Sequence, residues 1–173
     1  MFKKFIPFAH AENIYDIDVN FFKKLGLKYL LIDLDNTLDS YKAYHASERA
    51  LKLIKNLREL EITPIIISNN RGKRVSSYAN DLGVTYLNSA RKPFAFKIIK
   101  FLKRHNISKS DILLVGDQMI TDVLFGHRAG IRVILTEKLV KEDQITTRVN
   151  RILGRRIRKY HQKRGNLIDW KEK

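Results

Sequence analysis

Two aspartates close the apolar run Leu30-Leu31-Ile32-Asp33-Leu34-Asp35, spaced by a single residue. Strand side chains alternate in direction, so Asp33 and Asp35 emerge on the same side where a strand ends. Two carboxylates converging at the carboxyl end of a buried strand make a site for a hard cation and a phosphate. The ordinary alternative is a turn or a helix cap. Three more signals follow, each after another apolar run. The stretch ITPIIISNN ends in Ser68, Asn69 and Asn70, Lys92 stands before Pro93, and DILLVGDQMITD carries Gly116-Asp117 with Asp122 five residues on. Each has its own ordinary reading: Ser68 as a cap, Lys92 as a solvated lysine, Gly116-Asp117 as a strand-to-helix turn. Their order, Asp-x-Asp, Ser, Lys and Asp, all at strand ends, makes joint coincidence improbable.

The elements that must position these residues alternate between strand and helix. Hydrophobic periodicity places a short helix over 13–24, a strand over 29–32 and a helix over 47–60 with Ser47 as its cap. Strands follow over 63–67 and 85–87, with a helix over 75–82 between them. A helix over 94–105 aligns Phe94, Ile98, Phe101 and Leu102 on one face. The chain then reads strand 112–115, helix 122–128 and strand 133–135. Such alternation implies an α/β fold with a parallel sheet covered on both faces, and ligands at the carboxyl ends of its strands.

These four segments resemble the motifs of the haloacid dehalogenase (HAD) superfamily of phosphotransferases. Asp-Leu-Asp-Asn-Thr-Leu, Ser-Asn-Asn and Gly-Asp-Gln-x-x-Thr-Asp-Val are similar to the YqeG-type branch, which includes phosphatidylglycerophosphate phosphatases. The likeness runs from the approach segment 7–25 to Asn150-Arg151. It implies an HAD-like, Rossmann-like three-layer fold and magnesium-dependent hydrolysis of a phosphomonoester. It assigns Asp33 as the nucleophile that forms an aspartyl-phosphate and Asp35 as general acid and then base. Ser68 and Asn69 bind phosphate, with Asn69 alternatively fixing the loop, and Lys92 neutralises charge on the phosphoryl group and on Asp33. Magnesium is held by Asp33, the Asp35 carbonyl and Asp117, while Asp122 orients Lys92 or a metal-bound water. One departure stands out: Asp39 follows Leu38 where the family pattern leads to an apolar residue. The expectation for it is a solvated carboxylate near the mouth.

The intervals between motifs bear on substrate size. Residues 39–61 have room for a loop and one helix, and 70–91 for one helix and a short strand. Neither holds a folded cap. An open site suits phosphate carried on something large.

The chain has 173 residues, 44% of them apolar, enough for one core of ordinary size. It lacks cysteine, which excludes disulfides, thiolate metal sites and a cysteine nucleophile. His10, His45, His105, His127 and His161 lack helical pair spacing and read as surface or core residues, not zinc ligands. No apolar run reaches bilayer-spanning length, and Pro7 cuts short the apolar start, so the expected location is cytoplasmic. The organisation expected is an approach segment (1–25), a catalytic domain (26–137) and a basic amphipathic tail (138–173).

The formal charge is +16, and half of it sits in residues 138–173. There Ile145, Val149, Ile152, Leu153, Ile157 and Tyr160 form one helical stripe flanked by Arg148, Arg151, Arg155, Arg156, Arg158 and Lys159. The stripe reads either as a helix packed on its own domain or as an interfacial helix on an anionic membrane. In the second reading Phe2, Phe5, Ile6, Phe8 and Trp170 add shallow insertion. Three functions compete. The first is a peripheral phosphatidylglycerophosphate phosphatase making phosphatidylglycerol. The second is a soluble phosphomonoesterase for a sugar phosphate or nucleotide. The third is a nucleic-acid or ribosome-associated protein using the basic tail.

Overall fold

The structure, a computed structural model, describes residues 2–140 and 148–173. Among these residues six parallel strands form one sheet: β1 (Ala9–Ala11), β2 (Tyr29–Asp33), β3 (Thr63–Ile67), β4 (Thr85–Leu87), β5 (Ile112–Gly116) and β6 (Arg132–Thr136). Their order is β1-β6-β5-β2-β3-β4. The chain leaves β2 toward β3 on one side, then crosses back to β5 on the other. The crevice between β2 and β5 is thus the topological switch point, where open α/β sheets bind ligands. Register brings the motif-bearing ends level: Asp33 lies opposite Ile67, and Ile32 opposite Val115.

Helices cover both faces, giving the three layers that strand-helix alternation implies. Alternate strand residues divide between two cores. Leu30, Ile32, Ile66, Leu113 and Val115 meet α1 (Val19–Lys24), α2 (Glu48–Glu59) and α3 (Lys73–Leu82) on one face. Leu31, Ile65, Ile67, Ile112 and Leu114 meet α4 (Phe96–Arg104), α5 (Leu124–Ala129) and α6 (Arg148–Lys163) on the other. Burial on both faces explains why these strands read as continuous apolar runs. Ser47 caps α2 by accepting the Ala50 amide, and Ala50, Leu53, Ile54 and Leu57 supply its buried stripe.

Several boundaries differ from the sequence expectation, each for a local reason. The span 13–24 divides into a 3-10 turn, Ile14–Asp16, and α1, because Asn13 and Asp18 each cap their own turn. Strand β1 was not foreseen. It is a three-residue edge strand whose Ala-His-Ala sequence shows no apolar pattern, and it exists through its pairing with β6. Helix α4 begins at Phe96, since residues 91–94 close a turn in which the Phe94 amide donates to the Arg91 carbonyl. Phe94 therefore leaves the aligned face, and both it and Phe96 are exposed, whereas Ile98 and Leu102 are buried.

The tail also differs in part. Gly154, Ile157 and His161 bury against the domain, whereas Ile152 and Leu153 are half exposed. The side chains of Ile145, Arg148, Val149 and Arg151 lie outside the described residues. Arg158, expected on the solvated flank, turns inward: its guanidinium donates to the Asp117 and Thr136 carbonyls at 3.3 and 2.7 Å and pairs with Glu137. The aromatics expected to insert are packed on their own domain. Phe2 lies edge-on to Tyr160, Trp170 lies edge-on to Phe21, and Arg132 and Lys173 lie over Phe8.

Asp39 overturns its expectation. It is buried, accepting from Tyr78 Oη at 2.5 Å, the Ser47 amide at 3.1 Å and Arg49 Nη2 at 3.2 Å. The cluster ties the loop after β2 to α2 and α3. Burial first, then the Asp39 charge, pushes the neighbouring Tyr15 hydroxyl up to about 12. Removing the carboxylate strands a buried tyrosine hydroxyl. Asp39→Ala is expected to cost roughly 1–3 kcal/mol in urea denaturation, and Tyr78→Phe, which leaves Asp39 two other donors, about 1 kcal/mol.

Candidate active site

At the switch point three buried carboxylates converge: oxygens of Asp33, Asp117 and Asp122 all lie within 4.8 Å of one another. Asp33 closes β2 and Asp117 follows β5. Asp122 comes from a π-helical turn, Met119–Val123, where a plain α-helix was expected. Such wide turns recur at functional sites. Here the Asp122 amide donates to the Gln118 carbonyl, and Asp122 Oδ2 accepts the Gln118 amide at 3.0 Å, folding the side chain back toward β5. Gly116 makes room for it. A Cβ at that position lands 2.5 Å from Asp122 Cγ. Gly116→Ala is therefore expected to displace Asp122 and cut kcat by about 10²-fold or more, measured on any turned-over phosphoester.

Lys92 enters this cluster from the loop after β4. Its ammonium donates to Asp33 Oδ1 and to Asp122 Oδ1, the latter at 2.6 Å. The loop is held by its neighbour after β3, where the Ser89 and Ala90 amides donate to the Asn70 and Ser68 carbonyls. Asn69 grips Lys92 by the main chain, accepting its amide at 2.6 Å and donating to its carbonyl at 2.9 Å. Of the two roles expected for Asn69, this geometry serves the loop-fixing one.

Asp35 faces another way. Asn36 takes a left-handed conformation, which asparagine tolerates better than most residues, and turns the chain straight after Asp35. The Asp35 carboxylate accepts from Ser68 Oγ at 3.1 Å, Asn70 Nδ2 at 2.8 Å and the Arg74 guanidinium. Ser68 Oγ also accepts the Asn70 amide at 3.0 Å. Asn70 was named in the Ser-Asn-Asn motif without a role, and Arg74 was not singled out from sequence. A signal existed for Arg74: it lies in the first turn of α3, where a cation opposes the helix dipole and calls for a compensating anion.

The electrostatics follow from burial. Desolvation pushes the Asp33 carboxyl well above the usual range; Lys92 opposes this, while Asp122, Asp117 and Asp35 reinforce it. Burial alone lowers the affinity of Lys92 for its proton, but Asp122 and Asp33 together outweigh it and keep the ammonium charged. Three carboxyl groups around one ammonium bring several hard oxygen donors together. That set fits a divalent cation such as magnesium. Among the described residues no histidine joins such a group.

Among the described residues no cap is inserted over the edge that carries this cluster: residues 39–61 hold a loop and α2, and 70–91 hold α3 and β4. The family model of mitochondrial PGP phosphatase matches residues 2–140, a span that includes every residue of the cluster. The chain belongs to that family. It is 34% identical over 173 residues to the Bacillus subtilis (strain 168) protein named "Probable phosphatase YqeG", covering 99% of this chain and all of that one. It is 23% identical over 150 residues to an Arabidopsis thaliana phosphatidylglycerophosphate phosphatase 1, covering 80% of this chain but 42% of that longer one. A solved protein from Legionella pneumophila, assigned to HAD subfamily III A, superposes with a TM-score of 0.52 at 17% identity, covering 70% of this chain and 71% of that one. The protein is an HAD-fold phosphoric monoester hydrolase related to the PGP phosphatases. Helix α6 lies beyond the span matched by the PGP phosphatase model but within the Bacillus alignment.

Proposed function

We propose that this PGP-phosphatase-family enzyme removes the terminal phosphate of phosphatidylglycerophosphate at an anionic membrane surface, with magnesium as cofactor. The observation that carries the chemistry is the buried Lys92 held between Asp33 and Asp122 at the open switch point of the sheet.

Asp33 attacks phosphorus through a carboxylate oxygen, forming the aspartyl P–O bond as the bond to the lipid alkoxide breaks. Asp35 gives its proton to that alkoxide, then takes one from the water that attacks the aspartyl-phosphate. Water attack releases inorganic phosphate and regenerates Asp33. The hydrogen bonds from Ser68, Asn70 and Arg74 fix the position of the Asp35 side chain. Lys92 offsets the charge of Asp33 and of the phosphoryl oxygens, held in place by Asp122 and by Asn69 through its backbone. Asp33, the Asp35 carbonyl and Asp117 would hold magnesium, which would supply charge neutralisation of the phosphoryl group.

The lipid assignment is supported by the family match, the capless site and the exposed Arg155 and Arg156 of α6. No helix among the described residues is long and apolar enough to cross a membrane, which agrees with docking from one side. The test is phosphate release from phosphatidylglycerophosphate vesicles, compared with soluble sugar phosphates and nucleotides, with magnesium and with chelator. Preferred hydrolysis of the lipid, abolished by chelation, is the expected result. Preferred hydrolysis of a soluble ester overturns the substrate, and turnover unaffected by chelation overturns the cofactor.

A further inference from the structure

We propose that Phe94, Phe96 and the basic flank of α4 form the surface that seats the active site on an anionic bilayer. The inference rests on the lipid reading above for its occupant and assigns the docking face, which the basic tail had been expected to supply.

Phe94 and Phe96 are 57% and 78% exposed, among the most exposed large hydrophobic residues described. They stack on each other, ring centroids 6.5 Å apart and planes 12° from parallel. Their place in the fold matters. Phe94 is two residues beyond Lys92, and Phe96 is the first residue of α4. In a parallel sheet the loop after a strand lies on the edge that carries the site, which places both residues at the same edge as Lys92.

Charge surrounds them. No acid occurs between Asp81 and Asp111, a stretch that carries seven Lys and Arg residues including buried Lys92. Lys97, Lys100 and Arg104 recur at helical spacing and line a groove of about 320 Å³ with Tyr86, Leu87 and Phe101. Ile98 and Leu102 anchor the opposite side of α4 in the core. Aromatic tips beside cations on a helix flank are the composition of a segment lying in a lipid interface, where acidic headgroups attract the cations.

A single-stranded nucleic acid also uses aromatics and cations, but it needs open ring faces for its bases. The Arg128 guanidinium lies 5.5 Å over the Phe94 ring, whose other stacking partner is Phe96. Phe94 therefore has edges to offer, which suit acyl chains and headgroup carbons. The bilayer is the favoured occupant.

The experiment uses the full chain carrying Phe96→Trp, with the native protein as reference for Trp170, which packs against Phe21. Vesicles of equal parts phosphatidylcholine and phosphatidylglycerol are compared with phosphatidylcholine alone. Expected is a blue shift of the added tryptophan and its quenching by bromine-labelled acyl chains, on the anionic vesicles only. The double variant Phe94→Ser, Phe96→Ser should sediment with anionic vesicles roughly tenfold less than the native chain. An unshifted signal from the added tryptophan on vesicles that bind the protein, or a double variant that sediments like the native chain, overturns this face. So does binding of RNA with no binding of vesicles. Hydrolysis is scored separately. A blue shift without release of phosphate from the lipid upholds the docking face and sinks the substrate, and lipid hydrolysis with no shift does the reverse.

Discussion

Asp33→Asn should abolish turnover, by roughly 10⁴-fold or more in kcat, and leave the fold standing. The amide has nearly the shape of the carboxylate but cannot form the acyl-phosphate bond. Rapid acid quench with a labelled substrate should trap phosphoprotein in the native enzyme and none in the variant. Turnover near the native rate would sink the assignment of the nucleophile. The same substitution makes a thermal prediction. Burial raises the Asp33 carboxyl well above its unfolded value, with the acids around it adding to the rise and Lys92 opposing it. Its contribution to stability is therefore full below the unfolded value and is lost as pH rises through the raised one. At neutral pH and without divalent cations, the variant should melt at or above the native temperature. Added magnesium should stabilise the native chain more than the variant, since binding to the folded state adds to stability. A native chain that magnesium does not stabilise would contradict the assigned cation site.

Lys92→Met should damage both activity and stability. The side chain is 1% exposed, between Asp33 and Asp122, which are 6% and 0% exposed. Removing the ammonium leaves buried carboxylates without their cation, a change that costs about 3–5 kcal/mol when a buried ion pair is broken on one side. For a chain of this size that corresponds to a fall in Tm of roughly 10 °C. Acid should recover part of it, because protonating Asp33, whose carboxyl burial already pushes up, removes part of the charge left unpaired. Turnover should drop by about 10³-fold, the order expected when a preorganised charge at a phosphoryl transition state is lost. Calorimetry across pH with parallel steady-state kinetics checks both. A stable variant with a full kcat would mean that Lys92 is needed for neither.

The relation between the two effects separates Lys92 from Gly116. Loss of Lys92 removes charge and destabilises the chain, while Gly116→Ala displaces Asp122 by contact and keeps every charge. Only the first should respond to acid.

What the amino-acid sequence determined alone is five of the six strands and the residues at their ends. Leu30 to Ile32, Ile65 to Ile67 and Ile112 to Val115 are apolar on both faces, so each reads as a buried parallel strand, and Asp33, Ser68 and Asp117 fall at the ends. Chain order, strand type and missing cap follow from local pattern and from intervals too short to fold, which need no knowledge of what packs where. The partners of those residues were decided by tertiary structure. Asp35 meets Arg74 across 39 residues and Asp39 meets Tyr78 across the same separation, pairings that exist only once α3 packs beside the loop after β2. Asp39 looked solvated because a carboxylate with no adjacent partner usually is; its donors came from the start of α2 and, far along the chain, from Tyr78. Phe94 looked like core because its spacing to Ile98 fits a helix. The turn at 91–94, pulled toward the site by the grip of Asn69 on Lys92, starts the helix two residues later and leaves both rings outside. Local periodicity sets which elements form, and long-range hydrogen bonds between loops set where their ends point.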